Sequence, residues 1–227
     1  MELIGHPLAK SKKIKAGSSE DFEKPVIPFN KWPAHSIYYD FNKFGFRCPE
    51  FDTVNWEESV VVLGCSCTAG VGLAKENTVT SLLSNEIGRP VINLGVAASG
   101  IDLACYNSII LHDHFPKPLA VVQLWSDTAR YVDMDRERYL HPHLYFPKRH
   151  NYDARYNWDL RSYFYRKTDK SLWAGKTKYY EATFFFETSK LFNCDFVHRE
   201  DQAIDGLHPG IVTTRKMAHL IATNLKL

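Results

Sequence analysis

Apolar positions along the chain gather into four short runs, each ending in Gly or followed by a polar residue: SVVVLG (59–64), PVINLG (90–95), LAVVQLW (119–125) and CDFV (194–197). Continuous β-branched runs of this length have the composition of parallel strands buried on both faces. Between the first three lie segments with helical spacing. One is Asn77 to Ile87, with Val79, Leu82, Leu83 and Ile87 on one side, and the other is Ile101 to Leu111. Strands alternating with helices require crossover connections, so the expected fold class is α/β, a doubly wound parallel sheet with helices on both faces. Ligands then sit beyond the carboxyl ends of the strands. Pro209 to Leu225 reads as a closing helix, with Pro at its first position and Val212, Met217, Leu220, Ile221 and Leu225 along one face.

Two stretches lack this pattern. Residues 1–25 are rich in Lys, Ser and Glu, and residues 26–52 mix aromatics with Pro and Gly. Together, 1–52 reads as an N-terminal arm and extended strap laid on an α/β domain that spans 53–227. From about 130 to 193 the chain is crowded with Tyr, Phe, Trp and Arg, which reads as an insertion. Tyr179 to Phe192 is expected to form one helix there and the remainder a cap near the strand ends. Between Arg130 and Lys190 there are 13 basic and 8 acidic residues. An aromatic core under a basic cap is favoured over a surface that stacks on sugars or single-stranded bases.

A length of 227 residues suits one such domain with an insertion. With 44% hydrophobic and 24% charged residues, the chain is neither disordered nor fibrous. Lys plus Arg (28) against Asp plus Glu (26) leaves +2, so neither nucleic acid nor an anionic membrane is an obligatory partner. Five cysteines and a chain too large to need a disulfide scaffold point to reduced thiols. No signal-peptide pattern and no run of ~18 apolar residues is visible, so a cytoplasmic location is expected. Cys65 and Cys67 have no second pair at zinc spacing, and Gly64, Gly70 and Gly72 are not followed by Gly-Lys-Ser or Gly-Lys-Thr. Neither a metal nor another cofactor is expected.

The first run ends in Gly64-Cys65-Ser66-Cys67-Thr68-Ala69-Gly70-Val71-Gly72-Leu73, which puts a serine in the turn beyond a buried strand. A hydroxyl needs a base to become nucleophilic, and such a turn offers backbone N–H groups to a developing oxyanion. Near the other end stands Asp205-Gly206-Leu207-His208-Pro209. Three residues apart in a turn, the aspartate can hold one imidazole nitrogen so that the other faces a serine. Each string alone is more readily a tight turn or a helix start; both following parallel strands, they support one another.

These blocks resemble those of the SGNH or GDSL hydrolases, serine esterases and acyl hydrolases built on a flavodoxin-like α/β/α sandwich. The resemblance runs from about Ser59 to the C-terminus. In VVLGCSCTAGVGL, Ser66 matches the nucleophile, Thr68 and Gly70 match the residues that follow it, and Cys65 stands where the family has Asp. In DGLHPG, Asp205 and His208 match the acid and base. The resemblance implies ester hydrolysis through an acyl-serine intermediate, with the N–H groups of Ser66 and Ala98 in the oxyanion hole. Ala98 stands where the family places a Gly in the block similar to INLGVAASG.

The third block, Gly-x-Asn-Asp, is replaced in VVQLWSDTAR by Trp125 at the Gly and Asp127 at the Asn. Asp127 thereby takes an oxyanion-hole position, where an ionised carboxylate ~4 Å away would oppose the oxyanion by roughly 4 kcal/mol at an effective dielectric of ~20. Ser126, Gln123 and the Trp125 indole N–H are the substitute donors, and Trp125 and Arg130 are the candidates for binding substrate. NKFGFRC together with GCSCTAGVGL is also similar to a divergent group of these proteins from bacteria and their phages.

The function expected is a serine esterase for an oxygen ester, a carbohydrate O-acetyl ester in particular. The alternative is an SGNH-fold binding or structural protein of weak or no activity, such as a phage virion component. A small-molecule or glycan ester is the expected partner, with a homo-oligomer or a virion assembly as the further contacts considered.

Overall fold

The computed structural model describes residues 2–6, 13–15, 37–128, 130–132, 142–144 and 152–227. A short antiparallel pair, β1 (Lys13–Lys15) and β2 (Tyr38–Asp40), precedes the main sheet. The α/β succession then runs β3 (Val60–Gly64), α1 (Ser66–Ala69), α2 (Val79–Ile87), β4 (Val91–Gly95), α3 (Ile101–His114) and β5 (Ala120–Trp125). After an antiparallel pair, β6 (Arg130–Val132) and β7 (Pro142–Leu144), come α4 (Tyr152–Trp173), β8 (Lys178–Thr183), α5 (Phe186–Phe192), β9 (Asp195–Phe196) and α6 (Ile211–Leu225).

The five-stranded sheet has the order β4-β3-β5-β8-β9, every pair parallel. The chain leaves β3 for β4 on one side, then returns to place β5 on the other. That reversal opens a crevice at the carboxyl ends of β3 and β5. Register keeps the two ends level, with Gly64 opposite both Gly95 and Leu124.

Strand side chains alternate between two cores, as the pleat dictates. Val61, Leu63, Ile92, Leu94 and Val121 pack with Leu103, Ile110 and Leu111 of α3 and Trp173 of α4. Val60, Val62, Val122 and Leu124 pack on the opposite face with Val79 and Leu83 of α2 and Met217, Ala218 and Ile221 of α6. The strap joins the first of these cores through Phe46 and Phe51, beside Trp56.

Helix α2 is bounded by local chemistry: the Thr78 hydroxyl accepts from the Ser81 N–H, and Gly88 ends it at φ +64°. Helix α6 starts at Ile211, two residues later than Pro209 suggested. Pro209 is instead held in an antiparallel bridge with Gln202, and the Asp201 carboxylate takes the N–H groups of Val212 and Thr213, each at 2.9 Å. The expected helix over Tyr179 to Phe192 is corrected. Lys178–Thr183 is strand β8, because KYYEAT alternates faces at period two, and only Phe186–Phe192 is helical. The aromatic-rich stretch therefore contributes a core strand and the 22-residue α4 as well as surface. Its parts at 129, 133–141 and 145–151 lie outside the described residues. No helix among the described residues is long and apolar enough to cross a membrane.

Candidate active site

Ser66 opens α1 directly beyond β3, so its backbone N–H belongs to the first turn, where no intrahelical carbonyl can satisfy it. One turn later Gly70 ends the helix at φ +73°. Asn93 on β4 fixes this turn from the side. Its amide donates to the Thr68 carbonyl at 2.8 Å and to Thr80 at 3.2 Å, while its Oδ1 accepts from Gly95 N–H at 2.9 Å. Gly95 is required for the approach, since a Cβ there would lie 2.4 Å from the Ala69 nitrogen.

A second anchor comes from the strap. The Arg47 guanidinium donates to the carbonyls of Gly70 (2.8 Å), Ala69 (3.2 Å), Leu73 (2.9 Å) and Tyr38 (3.3 Å), and lies over the Tyr39 ring. The Tyr39 hydroxyl accepts from Gly72 N–H at 2.8 Å. Burial lowers Arg47 to about 10, against the raising influence of Tyr39, Asp40 and Glu76, and it stays charged at neutral pH. The sequence reading laid this segment on the domain as a strap and gave Arg47 no role. The signal available was a lone arginine within FGFRCPEF, which must find carbonyls or a carboxylate once its neighbours are buried.

The loop before α6 carries the partners of Ser66. Ala203 N–H donates to the His208 carbonyl and Gly206 N–H to the Ala203 carbonyl, both at 2.9 Å, closing a tight turn. Asp205 Oδ1 accepts from the N–H groups of Leu207 (2.9 Å) and His208 (3.0 Å), and its Oδ2 lies 2.6 Å from His208 Nδ1. His208 Nε2 lies 2.8 Å from Ser66 Oγ. Burial works to raise Asp205, but the hydrogen bond and charge of His208 and the two backbone donors outweigh it and hold the carboxyl at about 2. An ionised Asp205 only accepts, so Nδ1 carries the imidazole hydrogen. In the neutral ring Nε2 then accepts from the serine hydroxyl. Gly72, at φ +75°, lets the Ser66 loop meet this turn, since a Cβ would come within 3.0 Å of the Asp205 carboxyl carbon.

Ser66 and His208 open onto a cavity of about 1090 Å3 that Cys67, Ala98, Asp127 and Arg130 also line, with Phe184, Phe185 and Phe196 among its aromatic residues. Ala98 sits at φ +63°, a left-handed conformation that costs a non-glycine residue about 1 kcal/mol. The structure thus brings together Ser66, Asp205, His208, Ala98, Asp127 and Arg130. It does not bring the others.

Trp125, expected to bind substrate, is 1% exposed, with its indole N–H on Glu181 at 3.2 Å and its ring against Phe192. Arg166 pairs with the same Glu181, so the indole belongs to the buried layer beneath α4 and α5. Gln123 is fully buried within β5. Ser126, an expected oxyanion donor, is 2% exposed and turns its hydroxyl to the Asp127 carbonyl at 3.4 Å, while its own carbonyl accepts from Thr188. The hydrogen bond with Cys65 and burial hold the Cys67 thiol well above its ordinary range, so it stays protonated. Among the described residues no group of three or more His, Cys, Asp or Glu could hold a metal ion.

The sheet order and the crevice at its switch point are those of a flavodoxin-like doubly wound α/β sheet, and solved structures of esterases are similar to it in fold. A carbohydrate esterase family 2 enzyme with a carbohydrate-binding domain from Corynascus thermopiles (Myceliophthora fergusii) matches with a TM-score of 0.50 at 12% identity, over 74% of this chain and 65% of that one. A carbohydrate acetylesterase family member from Sinorhizobium meliloti matches with a TM-score of 0.48 at 12% identity, over 74% of this chain and 97% of that one. AlinE4, an SGNH-hydrolase family esterase, matches with a TM-score of 0.41 at 12% identity, over 77% and 97% respectively. At these identities the likeness is one of fold. Neither a protein-family model nor a curated protein matches the sequence.

Proposed function

We propose that the chain is a serine esterase that hydrolyses an oxygen ester, an O-acetyl group on a carbohydrate in particular. The observation that carries this reading is the continuous relay from Asp205 through His208 to Ser66, at 2.6 and 2.8 Å. In the reaction Ser66 Oγ attacks the ester carbon while its proton passes to His208 Nε2. The C–O bond to the alcohol then breaks, and the imidazolium returns that proton to the departing oxygen. Water repeats the sequence on the acyl-serine, releasing the acid and restoring Ser66. Asp205 keeps the imidazole oriented and stabilises its cationic form, and the N–H groups of Ser66 and Ala98 receive the oxyanion.

The carbohydrate part of the reading draws on the structural neighbours named as carbohydrate esterases and on the aromatic residues of the cavity. Asp127 on the same lining favours a second reading, a binding protein that has lost turnover, because a carboxylate opposes an oxyanion.

Hydrolysis of 4-nitrophenyl acetate separates the two. The esterase reading expects a rate that Ser66→Ala returns to background. Equal rates for the two proteins would overturn it. Acetate release from acetylated xylan tests the carbohydrate part, and hydrolysis of the chromogenic ester without such release would remove that part alone.

A further inference from the structure

The cavity beside Ser66, at about 1090 Å3, far exceeds an acetyl group, so the alcohol portion of an ester has to occupy most of it. Its charged lining residues are not equivalent. Asp127 and Glu187 each interact with another group, and Arg199 donates to the Leu207 carbonyl at 2.7 Å. Arg130 differs. Its guanidinium lies 5.7 Å from the centroid of the Phe185 ring, its Nε is buried with no hydrogen-bond partner, and no carboxylate pairs with it among the described residues. Its charge acts on both thiols that flank Ser66, those of Cys65 and Cys67, which puts it within electrostatic reach of the nucleophile.

Its backbone is also fixed. Arg130 N–H donates to the Asp127 carbonyl at 3.1 Å, and its carbonyl lies so close to Gly100 that a Cβ there would approach to 2.6 Å. A guanidinium on a fixed backbone, beside an aromatic ring and with no carboxylate paired to it among the described residues, presents a planar fork of donors that matches a carboxylate.

Resting on the esterase reading, we propose that the site selects esters whose alcohol portion carries a carboxylate, and that Arg130 receives that carboxylate. A guanidinium without a carboxylate partner discriminates an anion from its neutral analogue, because the analogue leaves its charge unmet.

The test compares a matched pair of acetyl esters, 4-acetoxybenzoate and 4-acetoxybenzamide, with the wild-type chain, Arg130→Gln and Arg130→Lys. The expected result is a preference for the anionic ester of about 10- to 100-fold in kcat/KM, carried in KM. Arg130→Gln is expected to bring that ratio to about 1, and Arg130→Lys to keep part of it. The ratio is internal to each variant, so a general loss of folded protein does not imitate the effect. Ser66-dependent hydrolysis of both esters without preference would overturn the carboxylate site and leave the esterase reading intact. Calorimetric titration with benzoate and benzamide reads the site without turnover. Benzoate binding that Arg130→Gln removes supports the site even in a chain that hydrolyses nothing, and equal binding of both compounds overturns it.

Discussion

The turn after β3 and the turn after β5 end on adjacent strands of one crevice, and they are furnished very differently. The first is over-determined: Asn93 and Arg47 bind its carbonyls, Tyr39 binds Gly72 N–H, and Gly72 seats it against the Asp205 turn. The second has changed its chemistry. Its tryptophan is buried on Glu181, its serine faces inward, and it presents Asp127 and Arg130 to the cavity. On the esterase reading, the difference teaches that proton transfer and charge stabilisation are separable parts of such a site. The relay needs three side chains in one geometry, whereas the neighbouring wall can be rebuilt around a particular substrate.

The largest effect that sharpens this comparison is on the relay. Asp205→Asn is expected to lower kcat about 10^3- to 10^4-fold, because the amide no longer enforces the Nδ1–H tautomer. Steady-state kinetics on a chromogenic acetyl ester reads it, and a loss below tenfold would mean that the relay is not used. On the other wall, Asp127→Asn is expected to raise kcat, by up to about 100-fold, by exchanging a repelling oxygen for a donor. A fall in kcat would show instead that the carboxylate serves the reaction.

The relay acid also leaves a mark on stability. Asp205 is held at about 2, below its ordinary 3.8, so its contribution is fully present above pH 3.8 and is lost as pH falls through about 2. Urea titrations of wild type and Asp205→Asn are expected to differ by about 2 kcal/mol more at pH 6 than at pH 2. A difference independent of pH would contradict the depressed value. The smallest effect concerns Ala98 on the cavity lining: Ala98→Gly is expected to stabilise the fold by up to about 1 kcal/mol, by relieving its positive φ. A lower melting temperature would show that the alanine side chain contributes more packing than strain.

What was legible in the sequence was what rests on short-range pattern. SVVVLG, PVINLG and LAVVQLW are buried on both faces and read as strands at once. Ser66, Asp205 and His208 stood in turns after strands, where a doubly wound sheet gathers its ends. Strand β8 was hidden because KYYEAT runs directly into FFF, and a window spanning both has no single period. Trp125 was misread for a different reason. A strand end places one residue inward and the next outward, and only the partner Glu181, 56 residues further on, decides which. Arg47 was legible only as a cation in need of acceptors; which ones stayed hidden, because all four are backbone carbonyls, which leave no trace in residue identity.

The most direct test of the central claim is reaction with a fluorophosphonate, read by intact mass and peptide mapping on wild type and His208→Ala. A primed relay predicts one adduct, on Ser66, formed rapidly in wild type and at a rate reduced at least 100-fold in His208→Ala. An unlabelled wild-type chain, or labelling of Ser66 at the same rate without the imidazole, would contradict it.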